Sequence, residues 1–320
     1  MEDYNNHRFL VTGGAGFIGS HLVDALLAQG AGLVRVLDDF SNGQRANLAQ
    51  HAGNPRLEIR EGSITDTAMC EQACNSITHV AHQAALGSVP RSLVEPERFM
   101  AVNVGGFGNV LEAARKSGVR RVVFASSSSV YGDEPSLPKV EERIGHPLSP
   151  YALTKQINEQ QAALWGRIYG LETIGLRYFN VFGPRQRPDG PYAAILPRMI
   201  TAARLGEAPT LFGDGEQTRD FTYVANVVQA NLLALMTNRP ETLGQVFNVA
   251  TGQRISLNAA WASVQRLTGN TPPPIYAAER PGDIRHSLAH IGKIQRLLGY
   301  SVEIGFTEGI SRTIPPALPQ

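Results

Sequence analysis

The stretch "VTGGAGFIGSH", residues 11 to 21, constrains the fold more than any other part of the chain. It sets Gly13, Gly16 and Gly19 between a β-branched apolar run and a segment in which Ile18, Leu22 and Leu26 step by four. That order predicts a strand, a tight turn and a helix that ends at Gly30. The missing Cβ serves three ends: a sharp turn, close approach of backbone to a pyrophosphate, and close packing of helix on strand. The unpaired N–H groups and dipole at such a helix start suit phosphate.

Through the first half, short β-branched runs alternate with longer stretches of helical period, which predicts parallel strands joined by crossover helices. The expected strands are "RFLVTG", "LVRVLD", "RLEIR", "THVAHQ", "RRVVFAS" and "LETIGLRYF". The expected class is α/β, a doubly wound parallel sheet of the Rossmann kind. After Phe179 the chain becomes rich in proline and glycine, and its later helices are separated by long irregular connections. Residues 1–180 are expected to form the dinucleotide-binding domain and 181–320 a smaller substrate-binding domain. Segments such as 219–250 are expected to rejoin the first domain, because "QVFNVAT" has the texture of a further strand. Asp38, closing "VRVLD", stands where a carboxylate accepts the adenine ribose hydroxyls and repels a 2'-phosphate, which favours NAD over NADP. Arg45 weighs against that preference if it meets a phosphate, and reads otherwise as a surface arginine.

A chain of 320 residues with 42% hydrophobic and 18% charged content can bury a full core. Its formal charge of +1 gives no overall field for nucleic acid or an anionic membrane, so phosphate must be held by local arginines and backbone N–H groups. No apolar run approaches the roughly 20 residues that span a bilayer. The amino terminus enters an apolar strand within ten residues, with no room for a secretion signal, and a soluble, cytoplasmic protein is expected. Cys70 and Cys74 fall on one helix face and read as small buried side chains in a reduced compartment. His21, His79 and His82 show no metal-type spacing, and no metal is expected.

"LSPYALTKQINEQ" begins like a helix, with Ser149 as cap and Pro150 at the first position. Tyr151 and Lys155, four apart, then project from one face. A nearby ammonium stabilises a phenolate, and a nicotinium charge would do the same, moving the tyrosine toward use as a general base. Upstream, "VVFASSSSVYG" puts Ser126 to Ser129 at the carboxyl end of an expected buried strand, the edge where open parallel sheets place ligands.

The glycine turn, Asn103 in "MAVNVGG", the serine run, Tyr151 with Lys155, "RYFNVFGPRQ", "TRDFTYV" and "RPGD" together resemble the extended short-chain dehydrogenase/reductases, over nearly the whole chain. Within that superfamily they resemble the UDP-sugar 4-epimerases. The resemblance implies tightly held NAD with contacts at Gly13, Gly16, Phe17, Ile18, Gly19, Asp38, Asn42, Ser63, Ile64, Asn103, Tyr151, Lys155 and Tyr178. It implies Tyr151 as the base at the sugar O4 and Ser127, with Ser128 as runner-up, as the hydroxyl bonded to that oxygen. Asn180, Phe212, Arg219, Arg280, Asp283 and Ser287 correspond to positions that hold the nucleotide and sugar, the two arginines by the shape of their guanidinium against a diphosphate.

Related dehydratases carry acidic residues immediately before "VYG", and the decarboxylating relatives need such a group too, whereas this chain has Ser128 and Ser129 there with no carboxylate until Asp133. Epimerisation is favoured by that absence. Ser287 stands where epimerases restricted to glucose and galactose carry a bulky tyrosine, and Gly87 where such enzymes often carry lysine. The small Ser287 leaves room for a 2-acetamido group, and "HQAALGSVPRS", residues 82 to 92, resembles the N-acetylhexosamine branch; both favour UDP-GlcNAc and UDP-GalNAc. Two features pull the other way: Ser63 replaces the usual Asp at the adenine amino group, and "SSSSVYG" also resembles the UDP-glucuronate 4-epimerases, for which Arg185 or Arg187 would cradle the sugar carboxylate. A non-catalytic NAD-sensing regulator on the same fold is the alternative of another class, disfavoured because Ser127, Tyr151 and Lys155 are all present. The family is often dimeric, and residues 92–117 and 149–169 are the expected homodimer segments.

Overall fold

A computed structural model describes residues 4–188, 194–269, 272–279 and 284–314. The strands are β1 (Arg8–Thr12), β2 (Leu33–Asp38), β3 (Leu57–Glu61), β4 (His79–His82), β5 (Arg121–Ser127), β6 (Glu172–Tyr178), β7 (Val181–Phe182), β8 (Thr210–Phe212), β9 (Thr218–Arg219), β10 (Thr222–Tyr223), β11 (Val246–Val249), β12 (Ile255–Ser256) and β13 (Ile275–Ala277). The helices are α1 (Phe17–Ala28), α2 (Thr67–Cys74), α3 (Val89–Val94), α4 (Pro96–Phe99), α5 (Gly106–Lys116), α6 (Pro150–Tyr169), α7 (Ile195–Leu205), α8 (Val224–Met236), α9 (Leu257–Thr268), α10 (Gly292–Leu298) and α11 (Phe306–Thr313).

Seven strands form one sheet in the order β11-β6-β5-β4-β1-β2-β3, with every neighbouring pair parallel. The fold is the doubly wound α/β class that the sequence predicts. β1 has β2 on one side and β4 on the other, so the chain reverses its direction of travel across the sheet at β1, and a crevice opens beyond the carboxyl ends there. α1 and α8 pack together on one face, while α2, α5 and α6 cover the other. β2, inside the sheet, is buried on both sides, which is why it reads "LVRVLD" without alternation. Even Arg35 within it is satisfied there, its guanidinium donating to Glu58 and to the carbonyls of Ala73 and Asn75.

β11, from the chain after residue 180, pairs with β6 and closes one edge of that sheet. The rest of the carboxyl-terminal part packs as α7, α9 and α11 with the short pairs β7/β10, β8/β13 and β9/β12. Phe182, Phe221, Tyr223 and Phe306 form an aromatic cluster that ties it down, with centroids 5.4 to 6.3 Å apart. Cys70 and Cys74 are buried and free, with both thiols pushed up to about 12 by burial. Among the described residues no helix is long and apolar enough to cross a membrane.

Candidate active site

The crevice is a cleft of about 870 Å³ that runs from the glycine turn and the end of β2 to the ends of β5 and β6. At one end Gly13 takes φ +67°, and its N–H donates to the Leu37 carbonyl at 2.8 Å. A Cβ there would meet the Ala84 backbone nitrogen at 2.7 Å, and at Gly19 the Gly13 carbonyl oxygen at 2.1 Å. Gly16 caps α1 with no side-chain bond, so the first turn of the helix, at Phe17, Ile18 and Gly19, faces the cleft with backbone N–H groups.

Asp38 lies 7% exposed at the tip of β2. Its two carboxylate oxygens accept from the Ala15 and Phe40 N–H groups, both at 2.9 Å. Burial raises its pKa, and these two amide contacts pull it back. Each oxygen keeps a second acceptor site for a ribose hydroxyl. Asn42 and Ile64 line the same end. A carboxylate, a helix start and an apolar flank of Leu37, Ile64, Leu86 and Val102 make a donor and acceptor set that fits a dinucleotide. Asp38, the glycine turn, Tyr151 and Lys155 are the residues that would hold it.

At the other end α6 begins with the cap and proline that its sequence announces, the Ser149 hydroxyl accepting from Ala152 N–H at 3.1 Å. Lys155 is 3% exposed, and its Nζ donates to the Ala125 carbonyl at 2.7 Å. Desolvation brings it down to about 8, while Glu159 opposes the fall. The Tyr151 phenol hydrogen-bonds Ser127, yet burial dominates and raises its pKa. Lys155 Nζ stands 5.9 Å from the Tyr151 ring centroid. Burial therefore keeps the phenol protonated at neutral pH, and added positive charge is what would make it a base. Ser127 also receives bonds from Ser129 N–H at 3.2 Å and Ser129 Oγ at 3.0 Å.

Several residues chosen from sequence lie elsewhere. Ser128 opens a 3-10 turn, Ser128–Tyr131, and does not line the cleft, because β5 ends at Ser127 and the backbone turns there. The Ser63 hydroxyl pairs with Thr65 Oγ1 at 2.9 Å and is off the cleft wall. Asn103 is buried in a π-turn, Met100–Gly105, and spends its amide on the Leu86 N–H and carbonyl and on Thr154 Oγ1, so it braces the wall at Leu86 from behind. Tyr178 does line the cleft, its hydroxyl donating to Gln83 Oε1 at 3.1 Å and accepting from Asn231 Nδ2 at 2.8 Å. Gln83 Nε2 closes that ring on Asn231 Oδ1, a link between β4, β6 and α8 that no local motif signals.

Of the residues matched to the nucleotide and sugar, Arg219 on β9 and Ser287 come together, since Ser287 N–H donates to the Thr218 carbonyl at 3.1 Å. Arg219 Nη1 donates to the Thr218 and Arg285 carbonyls. Asn180, at φ +31°, and Phe212 on β8 join these two in lying off the cleft wall. Arg280 and Asp283 lie outside the described residues. Arg185 and Arg187 line the cleft, which the glucuronate alternative had raised. His79 and His82 are buried and lowered to about 3 by desolvation, and His21 Nε2 donates to the Pro184 carbonyl at 3.0 Å.

Comparison with known proteins agrees with this geometry. The "NAD dependent epimerase/dehydratase family" is matched over residues 9–250. A "Putative UDP-glucose 4-epimerase" of Methanocaldococcus jannaschii is 38% identical over 95% of this chain and 96% of its own. A UDP-N-acetylglucosamine 4-epimerase of Methanobrevibacter ruminantium, solved with UDP-N-acetylmuramic acid, superposes with a TM-score of 0.91 at 37% identity, over 98% of both chains. A UDP-glucose 4-epimerase of Thermotoga maritima, solved with UDP-glucose, gives 0.89 at 37% identity over 96% of this chain and 97% of that one. The match takes in β1 through β11, the whole sheet around the cleft, and the chain belongs to the NAD-dependent epimerase/dehydratase family.

Proposed function

We propose that this protein interconverts the C4 epimers of a UDP-hexose, with UDP-GlcNAc and UDP-GalNAc as the preferred pair. The observation that carries this reading is the convergence of Tyr151, Ser127 and Lys155 on one end of the cleft, where none of the described lining residues is a carboxylate. Among the described lining residues the only acids are Asp38 and Asp39, at the far end by β2. Dehydration needs an acid and a base at neighbouring carbons, and the described lining of that end offers neither as a carboxylate. The similar proteins named as 4-epimerases support the same choice.

In this reading Tyr151 takes the proton from the sugar O4, and the Ser127 hydroxyl holds that oxygen in line. NAD, when bound, supplies the hydride acceptor and donor for C4 and a positive ring charge near the phenol. Lys155 adds its ammonium and so shifts the phenol toward phenolate. The 4-keto sugar turns over within the cleft, and Tyr151 returns the proton once C4 has been reduced on its other face. No net redox change results.

Gly87 supports the acetamido preference: it lines the cleft, and a Cβ built there meets nothing within 4 Å. The test is product identity. Purified protein given UDP-GlcNAc, UDP-glucose and UDP-glucuronate should yield C4 epimers by NMR, fastest from UDP-GlcNAc. A product lighter by one water, or no epimer from any of the three, overturns the reading. Gly87→Lys should cut kcat/KM for UDP-GlcNAc by about tenfold more than for UDP-glucose, and equal losses remove the steric explanation. A second reading, UDP-glucuronate as substrate, is favoured by Arg185, whose Nη1 is buried without a hydrogen-bond partner while Nη2 binds Asp24 at 2.7 Å. Fastest turnover of UDP-glucuronate in the same assay selects it.

We also infer a homodimer. Leu153, Leu164 and Ile168 form an exposed apolar stripe along α6, with Leu93 and Val94 of the adjoining α3 at 63% and 70% exposure. An apolar surface of this kind on one side of a chain fits a second copy, which presents the same stripe. Light scattering should give twice the chain mass of 34.6 kDa, and Leu164→Glu with Ile168→Glu should halve it. A wild-type monomer at micromolar concentration rules the dimer out.

A further inference from the structure

One helical turn beyond Lys155, α6 carries Glu159. Its Oε1 accepts from Ser126 Oγ at 2.5 Å and Arg177 Nε at 2.9 Å, and its Oε2 from Arg177 Nη2 at 2.8 Å. The two charged side chains are only 12% and 3% exposed. Arg177 Nη1 is taken by the Tyr131 hydroxyl and the Glu141 carbonyl, both at 3.0 Å. A buried ion pair seldom repays its own desolvation in stability, so its place in the fold calls for another reason. That place is the end of β5. Ser126 sits between Ala125, whose carbonyl takes the Lys155 ammonium, and Ser127, whose hydroxyl meets Tyr151.

We propose that Glu159 is a positioning residue for proton transfer at Tyr151: its charge keeps Lys155 an ammonium, and its bond to Ser126 pins the strand end that anchors Lys155 and Tyr151. The catalytic meaning rests on the epimerase reading above, while the electrostatic part stands on the side chains alone. Lys155 is faced by Glu159 and Tyr151 from its own helix and by His82 from β4, which stays neutral in its buried site. Arg177 reaches Glu159 from β6, with Tyr131 behind it. Burial favours the neutral amine at Lys155, and Glu159 opposes it. Removing the carboxylate charge therefore makes Lys155 release its proton at lower pH.

The chain has four lysines, so protein labelled with ¹³C at lysine Cε gives a spectrum in which the Lys155 signal is identified by its loss in Lys155→Met. In Glu159→Gln that signal should titrate about one pH unit below its wild-type midpoint. The alkaline limb of kcat should move the same way, with KM for the UDP-sugar changed by less than about twofold. Ser126→Ala keeps the charge, so it should leave the titration in place and lower kcat by about tenfold through the loosened strand end. If Glu159→Gln does not fold, Glu159→Gln with Arg177→Gln leaves no unpaired buried charge and should shift Lys155 in the same direction. An unmoved Lys155 titration in either folded variant overturns the proposal. A wild-type protein without epimerase activity overturns the functional reading instead, and the NMR shift still decides the electrostatic claim.

Discussion

Tyr151→Phe should lower kcat for C4 epimerisation by about 10³-fold, since it removes the group proposed to move the O4 proton. The loss should appear in kcat rather than in binding, because the ring, its edge contact with Phe99 at 6.3 Å and the surrounding wall all persist. Calorimetry should find NAD and UDP binding within about threefold of the wild type. Stability should hardly change: Ser127 loses one partner but keeps its bonds from Ser129. Retention of more than about a tenth of the wild-type kcat would show that another group carries the proton.

Gly19→Ala acts at the opposite end of the cleft and should disturb both folding and the cofactor. A Cβ there lies 2.1 Å from the Gly13 carbonyl oxygen, 2.8 Å from the Gly13 carbonyl carbon and 2.9 Å from Gly14 Cα, all of them backbone. No rotamer relieves that overlap, so α1 must move from the turn or the turn must open. The expected cost is about 3 kcal/mol in denaturant unfolding, with NAD binding weakened by at least about tenfold as the helix start leaves its phosphate-facing position. Gly105→Ala is the control. It lies in a helical turn with nothing within 4 Å of a Cβ and should be neutral or stabilising by about 0.5 kcal/mol. Unchanged NAD affinity in Gly19→Ala would remove the turn from the binding site.

Both substitutions bear on features that short stretches of sequence encode. The glycine turn and Tyr151 with Lys155 stand out because strand, turn and helix start follow one another within a dozen residues, and a four-residue step puts two side chains on one helix face. Six expected strands appear within a residue or so at each end, and the cap at Ser149 works as its position indicates. Other choices went differently for a physical reason. Asn103 was matched to the cofactor, yet a buried amide takes whatever partner is nearest in space, and Leu86 comes within reach only once α6 and the π-turn pack. Ser63 turned aside because a hydroxyl just past a strand end bonds its own loop as readily as a ligand, and Ser128 because it opens the 3-10 turn that follows β5.

By itself the sequence determined the order of strands and helices, the glycine turn, the tyrosine and lysine on one helix, and the absence of an acid from the serine run. Each depends on neighbours within about one turn of helix or one strand, where geometry follows from spacing. Only the tertiary structure decided that Ser127 rather than Ser128 meets Tyr151, that Gln83, Tyr178 and Asn231 close a ring across three elements, and that Glu159 and Arg177 meet beneath the site. Those pairs lie 18 to 148 residues apart along the chain, and their contact depends on how the sheet twists and its helices dock, which no local pattern records.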